Sequence, residues 1–245
     1  MKKSITFLTI LLSVLLTFGC SKKRAEMAGR EAVISGIIGD VVIKKDNKEY
    51  PVKVGDLILT GMTIETGDRS LIEIRIGDDT IRLFENTVLF IDKLDTNVAA
   101  NIEQAEFNLI KGEVFSRIMR QMKSGDVYQV RTPTTVAAVR GTEFTVSATD
   151  ERSKVSCVQG KVYVVNLIDD SSLVEISANE EAIDVKEQPI EVIVISEKDL
   201  RRIRIIFENM SQPNFVVKDA VEYVEQGVKR QVIDPSKPSS AKDEF

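Results

Sequence analysis

Residues 70–84 read SLIEIRIGDDTIRLF, a pattern that a helix cannot bury on one side. Ile72, Ile74 and Ile76 fall on one face of an extended chain, with Glu73 and Arg75 on the other. A period of two marks a strand with one face in a core, whereas helical faces recur every ~3.6 residues. Gly77-Asp78-Asp79 then interrupts, and Ile81 and Leu83 resume the alternation, which predicts a hairpin. Comparable punctuation recurs at Gly39-Asp40, Gly55-Asp56, Gly61, Gly67-Asp68 and Gly125-Asp126. Glycine supplies the positive φ of tight turns, and aspartate hydrogen-bonds nearby backbone. These pairs spell neither an EF-hand loop nor a GGxGxD array, so turn chemistry explains them better than calcium does. The chain is predicted to be mainly β over residues 32–195.

Three runs share a glycine, a charged residue, a valine and a large apolar residue: Gly39-Asp40-Val41-Val42, Gly112-Glu113-Val114-Phe115 and Gly160-Lys161-Val162-Tyr163. Each reads as a turn feeding a strand. Their unequal spacing argues for stacked, related β layers rather than a strict solenoid period. An elongated β sandwich and an irregular β-solenoid both fit.

The period changes after Ile195. Ser196 and Asp199 read as a capping box opening a helix. Leu200, Ile203, Phe207 and Met210 line one helical face, and Pro213 is placed to end it. Val217, Ala220, Val221, Val224 and Val228 form a second apolar stripe. Two C-terminal amphipathic helices over residues 196–230 are therefore expected, packed on the β domain or, as the alternative, docking a partner. Residues 231–245 have the composition of a disordered tail.

The N-terminus sets the expected compartment. Lys2 and Lys3 precede an apolar run, residues 5–18, and Gly19 stands before Cys20. The run is short for a membrane span, and the order of charge, apolar run and small residue reads as a signal peptide over residues 1–19. A small residue followed by cysteine resembles a lipobox, which makes Cys20 a lipidated N-terminus and residues 20–31 a tether. Thr17 and Phe18 depart from the commonest lipobox residues, so an ordinary secretion signal is the alternative. Each acyl methylene buried contributes about 0.8 kcal/mol, and several chains anchor stably. Ser21 rather than Asp after the cysteine points to the outer membrane, on its periplasmic face.

Composition narrows the chemistry. The 33 basic and 38 acidic residues give a net charge of −5, with no strongly basic domain to hold nucleic acid. The chain has no histidine, which removes histidine triads, histidine metal sites and histidine general bases. It has two cysteines. With Cys20 lipidated, Cys157 is left alone, without a disulfide or a cysteine zinc cluster. Cys157 sits in KVSCVQGKVYVV, a strand-like run where cysteine serves as a small core residue. No carboxylate pair stands out by spacing. No catalytic residue, metal site or cofactor is expected.

Residues 131–144, RTPTTVAAVRGTEF, are the most unusual stretch. One glycine followed by β formers is not a phosphate cradle, and there is no G-x-S-x-G elbow. The stretch reads as architecture. Pro133 removes a ladder donor and holds Thr132 extended, so the chain bends there. Gly141 gives a second bend or bulge. The guanidinium of Arg140 is expected to hold that corner by capping carbonyls or pairing with a carboxylate.

These residues also carry a resemblance. Val54 to Gly67 fits V-G-D-x-[IL]-x-x-G-x-x-I-x-T-G; Arg82-Leu83 and Asn86-Thr87 follow; Leu109 to Val114 fits L-x-x-G-x-V. Thr132, Pro133, Arg140, Gly141, Thr142 and Phe144 complete T-P-x-x-x-x-x-x-R-G-T-x-F. The run resembles the FecR domain family over roughly residues 41–165. The resemblance implies an extracytoplasmic β interaction domain and brings no catalytic residues. Its best-understood members regulate sigma factors through a cytoplasmic segment and a transmembrane helix. A sequence that starts with a lipobox-like signal points instead to an envelope scaffold. The expected function is therefore a non-enzymatic envelope lipoprotein that binds another envelope protein at the membrane surface. The alternative is a peptidoglycan or glycan binder, disfavoured by the absence of Trp and the scarcity of exposed aromatics such sites use.

Overall fold

The computed structural model describes residues 32–97, 102–167 and 172–210. The strands in chain order are β1 (Ala32–Ile38), β2 (Val41–Lys45), β3 (Lys48–Tyr50), β4 (Leu57–Ile58), β5 (Thr63–Thr66), β6 (Leu71–Ile76), β7 (Asp79–Leu83), β8 (Val88–Asn97) and β9 (Ile102–Arg117). They continue with β10 (Val127–Arg131), β11 (Thr135–Val139), β12 (Glu143–Ala148), β13 (Arg152–Gln159), β14 (Lys161–Asn166), β15 (Leu173–Ser177), β16 (Glu180–Val185) and β17 (Glu191–Val194). One helix, α1 (Glu197–Glu208), follows.

The hairpin expected from alternation is β6–β7, with Ile72 opposite Leu83 and Ile74 opposite Ile81. Pairing along the chain divides the strands between two sheets. The first runs β4-β1-β6-β7-β9-β12-β13-β16-β17. The second runs β3-β2-β5-β8-β9-β10-β11-β14-β15. Every pairing is antiparallel except β9 with β10. Strand β9 belongs to both: its N-terminal part pairs with β8 and β10, its C-terminal part with β7 and β12.

The inner faces close over one core. Ile34, Ile72, Ile74, Ile81, Leu83, Val114, Phe144 and Val146 from the first sheet meet Ile43, Ile64, Leu89, Ile91, Phe107, Leu109, Val130 and Val164 from the second. The molecule is mainly β, and of the two architectures left open by the sequence it is the sandwich. The recurrence of the three glycine runs has a cause nonetheless. The chain lays strands alternately into the two sheets, so each advance along the sandwich repeats a crossing between layers.

Ser196 is the N-cap: its hydroxyl accepts from the Asp199 amide at 3.2 Å and donates to the Asp199 carboxylate at 2.7 Å, so the carboxylate meets the hydroxyl where a full capping box would meet the Ser196 amide. Helix α1 buries Ile203, Ile206 and Phe207 against Leu71, Phe84 and Phe115 on the outer face of the first sheet. It ends at Glu208, short of Pro213, because Asn209 caps it with its amide and its side chain, both donating to Ile205 O. Pro213, the second apolar stripe and Cys20 lie outside the described residues.

Candidate functional site

The stretch 131–144 turns out to be two corners separated by β11. At the first, Thr132 does the work expected of a small turn motif. Its hydroxyl accepts from the Thr135 amide at 2.9 Å and contacts the Ser153 hydroxyl at 2.7 Å, while the Thr132 amide donates to Thr135 O at 2.8 Å. Pro133 sits exposed at the tip. Beneath it the Thr134 hydroxyl donates to Ser153 Oγ at 2.8 Å. The Thr135 hydroxyl donates to Asp184 Oδ2, whose other oxygen accepts from Asn166 Nδ2 at 2.8 Å. Hydroxyl beside carboxylate has the components of a nucleophile and its base. Here Thr135, Ser153 and Asp184 are each at most 1% exposed, and burial closes them to a substrate. The network instead satisfies buried polar groups and ties four strands at one end of the sandwich. Ser153, Asn166 and Asp184 come from distant positions and carry no local sequence signal.

At the second corner the expectation for Arg140 fails. Its side chain is exposed, and among the described residues no hydrogen bond or ion pair holds it. The reason is parity. Val139 takes the buried position that ends β11, which leaves Arg140 pointing to solvent at the turn. The corner is held by Gly141, with φ of 70°, and by Thr142, whose carbonyl accepts from the Ile118 amide at 2.9 Å. The bulge follows at Glu143–Phe144. Replacing Arg140 by Ala is expected to change unfolding free energy by no more than about 0.5 kcal/mol, as measured by chemical denaturation.

Thr142 has two structural equivalents. Each is a hydroxyl residue that follows a residue of positive φ: Arg69-Ser70, Asn86-Thr87 and Gly141-Thr142, with φ of 49°, 56° and 70°. Each stands where the chain crosses between the sheets, and each seats the backbone of one of the three repeated glycines. The Ser70 hydroxyl accepts from the Asp40 amide, next to Gly39, at 2.8 Å. The Thr87 hydroxyl accepts from the Glu113 amide, next to Gly112, at 3.0 Å. At the third seat the Thr142 methyl faces Gly160. There is no room for a side chain: a Cβ at Gly112 would lie 2.5 Å from Thr87 Cα, and one at Gly160 would lie 2.7 Å from Gly141 O. The repeated glycines are thus crossing points, and Gly112 lies inside β9 at its passage from one sheet to the other, not in a turn ahead of a strand. Phe144, fully buried, then packs edge-on against Tyr128 at 6.1 Å.

Arg82 of the signature, together with Arg117 and Arg202, holds α1. Arg82, 2% exposed, donates to Glu73 Oε2 from Nε at 3.0 Å and from Nη2 at 2.5 Å, and from Nη2 to Asn209 O at 3.0 Å. Arg117 pairs with Glu143 at 2.6 Å, donates to Phe207 O and lies over the Phe207 ring. Arg202 on the helix pairs with Glu113 at 2.8 Å. The last turn of α1 contains no basic residue. Two sheet arginines therefore supply the positive charge that its carbonyl end favours. Burial pulls the Arg82 guanidinium below its ordinary pKa, and the Glu73 carboxylate opposes that pull. Burial likewise raises the Tyr128 phenol, whose hydroxyl donates to Ser116 at 3.0 Å. Burial also pushes the Cys157 thiol up to about 11, so the thiol is protonated at neutral pH. Among the described residues no cluster of three or more His, Cys, Asp or Glu is arranged to hold a metal ion. Nor is any helix there long and apolar enough to cross a membrane.

The sheet edges differ in character. Edge β3 carries Lys48 and Glu49, β4 is only two residues long, and β15 carries Glu175 paired to Lys161 at 2.5 Å. These are the usual ways of blunting an edge. Strand β17 is EVIV, pairs only with β16 among the described residues, and exposes Val192, Ile193 and Val194, the last by 75%.

The family model described as FecR protein matches residues 62–163, from the crossing before β5 to the middle of β14. A search of curated proteins finds no match. Two crystal structures of a proposed anti-sigma factor from Parabacteroides distasonis are similar at 24% identity and a TM-score of 0.46. They cover 57% of this chain, and the similarity spans 63% and 62% of those chains. Residues 62–163, which hold two of the three crossing seats whole and both sheet arginines that cap α1, are a FecR family domain.

Proposed function

We propose that this protein is a non-enzymatic interaction module of the cell envelope, tethered through lipid on Cys20, that binds an extended segment of another envelope protein along β17. The observation that carries this reading is the contrast among the four edges. Three are charged or too short to template a strand, while β17, among the described residues, offers an unpaired backbone edge flanked by exposed valine and isoleucine. An extended peptide added there gains main-chain hydrogen bonds, and its alternate side chains meet Val192 and Val194 on one face and Ile193 on the other. A FecR domain supports a signalling or regulatory role rather than a catalytic one. The buried hydroxyl network and the seated glycines give no group that touches solvent in a catalytic arrangement.

The test is photo-crosslinking in cells from a probe at Val194, with a second probe at Tyr50 on the blunted edge β3. The expected result is one discrete protein adduct from Val194 and none from Tyr50. Material from Val194 that collapses on muramidase digestion would instead support the peptidoglycan-binding alternative.

A further inference from the structure

A concavity of about 600 Å³ opens where three segments meet: the β7–β8 turn at Asn86, the bend of β9 at Lys111-Gly112, and the β12–β13 hairpin from Ser147 to Lys154. Its charge is unlike that of the rest of the chain. Lys111, Arg152 and Lys154 line it, against a single lining carboxylate, Asp150, in a protein of net charge −5. Lys154 is steadied from behind by Glu181 at 3.6 Å, a carboxylate that Ser156 also holds at 3.0 Å. Lys111 and Arg152 are exposed and have no ion-pair partner among the described residues. Among the described residues no acidic side chain is placed to pair with these two.

Lys111 and Arg152 face one hollow without an ion pair, and an anion bound between them relieves their mutual repulsion. The lining residues sum to a charge of +2, and Glu181 behind Lys154 lowers that of the group to +1, which still favours an anion such as a phosphate monoester. Arg152 supplies a planar fork suited to phosphate oxygens, and the two lysines act as point charges. Asn86, Ser147 and Thr149 line the same hollow and are neutral polar residues. The volume exceeds that of a bare phosphate ion and lies in the range of small-ligand sites, so the phosphate has room to carry an attached group.

We propose that this concavity is a binding site for a phosphate monoester. The shared chemistry has two sources, a lipid headgroup or a soluble phosphorylated small molecule. The site is separate from β17 and does not depend on it.

The experiment uses the full chain in neutral detergent. One arm titrates glycerol 3-phosphate by isothermal calorimetry; the other measures binding to detergent micelles doped with phosphatidic acid or with phosphatidylcholine. The expected result is saturable binding of at least one phosphate-monoester probe, weakened at least tenfold in the Lys111→Gln/Arg152→Gln double variant and weakened by added salt. Binding of glycerol 3-phosphate identifies a soluble ligand. Binding confined to phosphatidic acid micelles identifies a headgroup. Both side chains are exposed, so the variant should keep the wild-type thermal midpoint, and a Lys198→Gln control on α1 should bind as wild type does. The absence of saturable binding in both arms would overturn the proposal. So would equal binding by the double variant and the wild type.

Discussion

Gly112→Ala is expected to destabilise the protein by roughly 3 kcal/mol, the sum of a backbone conformation that side chains rarely adopt and a clash the core cannot relieve. The position has φ of 99°, and the added methyl would meet Thr87 Cα, which is backbone and cannot step aside. Gly55 supplies a matched control. Its φ is 95°, yet among the described residues no atom beyond its chain neighbours lies within 4 Å of where a Cβ would stand. Gly55→Ala should therefore cost only the conformational part, about 1 kcal/mol. Urea denaturation of both variants separates the two contributions. Equal losses at the two sites would mean that the crossing seat is not close-packed.

The second large effect lies under α1. Arg82→Met leaves the Glu73 carboxylate buried without its guanidinium, and removal of one partner from a buried pair typically costs about 3–5 kcal/mol. It also removes the donor to Asn209 O at the end of the helix. The double variant Glu73→Met/Arg82→Met has no stranded charge and should recover most of that loss, because apolar replacements of a buried pair are often close to neutral. Thermal unfolding of the single and double variants measures both numbers. A double variant as unstable as the single one would assign the loss to the helix contact instead of the buried charge.

The fold was largely legible because its signals are local. Alternation at Ile72, Ile74 and Ile76 and the turn at Gly77 specify a hairpin without help from the rest of the chain. Ser196 and Asp199 likewise announce their helix within four residues. The seats were only half legible. Gly39, Gly112 and Gly160 stand out as a repeat, and Asn86-Thr87 and Gly141-Thr142 stand out as signature pairs. What joins each glycine to its hydroxyl is a contact between separate crossings, and Arg69-Ser70 does not resemble the other two pairs in side chain. Backbone φ makes them equivalent, and φ is not written in residue names. Arg140 misled for a related reason. Its residue type suits a clamp, but the register of β11 points it outward, and the clamping falls to Arg82 and Arg117. The partners in the polar corner, Ser153, Asn166 and Asp184, are brought in by topology alone.

Thr132, Thr142 and Phe144 are buried and committed to packing, which leaves the signature little surface with which to recognise anything. The central claim is that the signature builds the sandwich while the partner binds on β17. Hydrogen exchange compares the purified protein with the complex isolated after crosslinking from Val194. The claim predicts that amides of residues 191–194 exchange freely in the first and are protected in the second, because an added strand takes up the open ladder, while residues 131–144 are unchanged. New protection at residues 131–144, with residues 191–194 still exchanging freely, would contradict it and make the signature the docking surface.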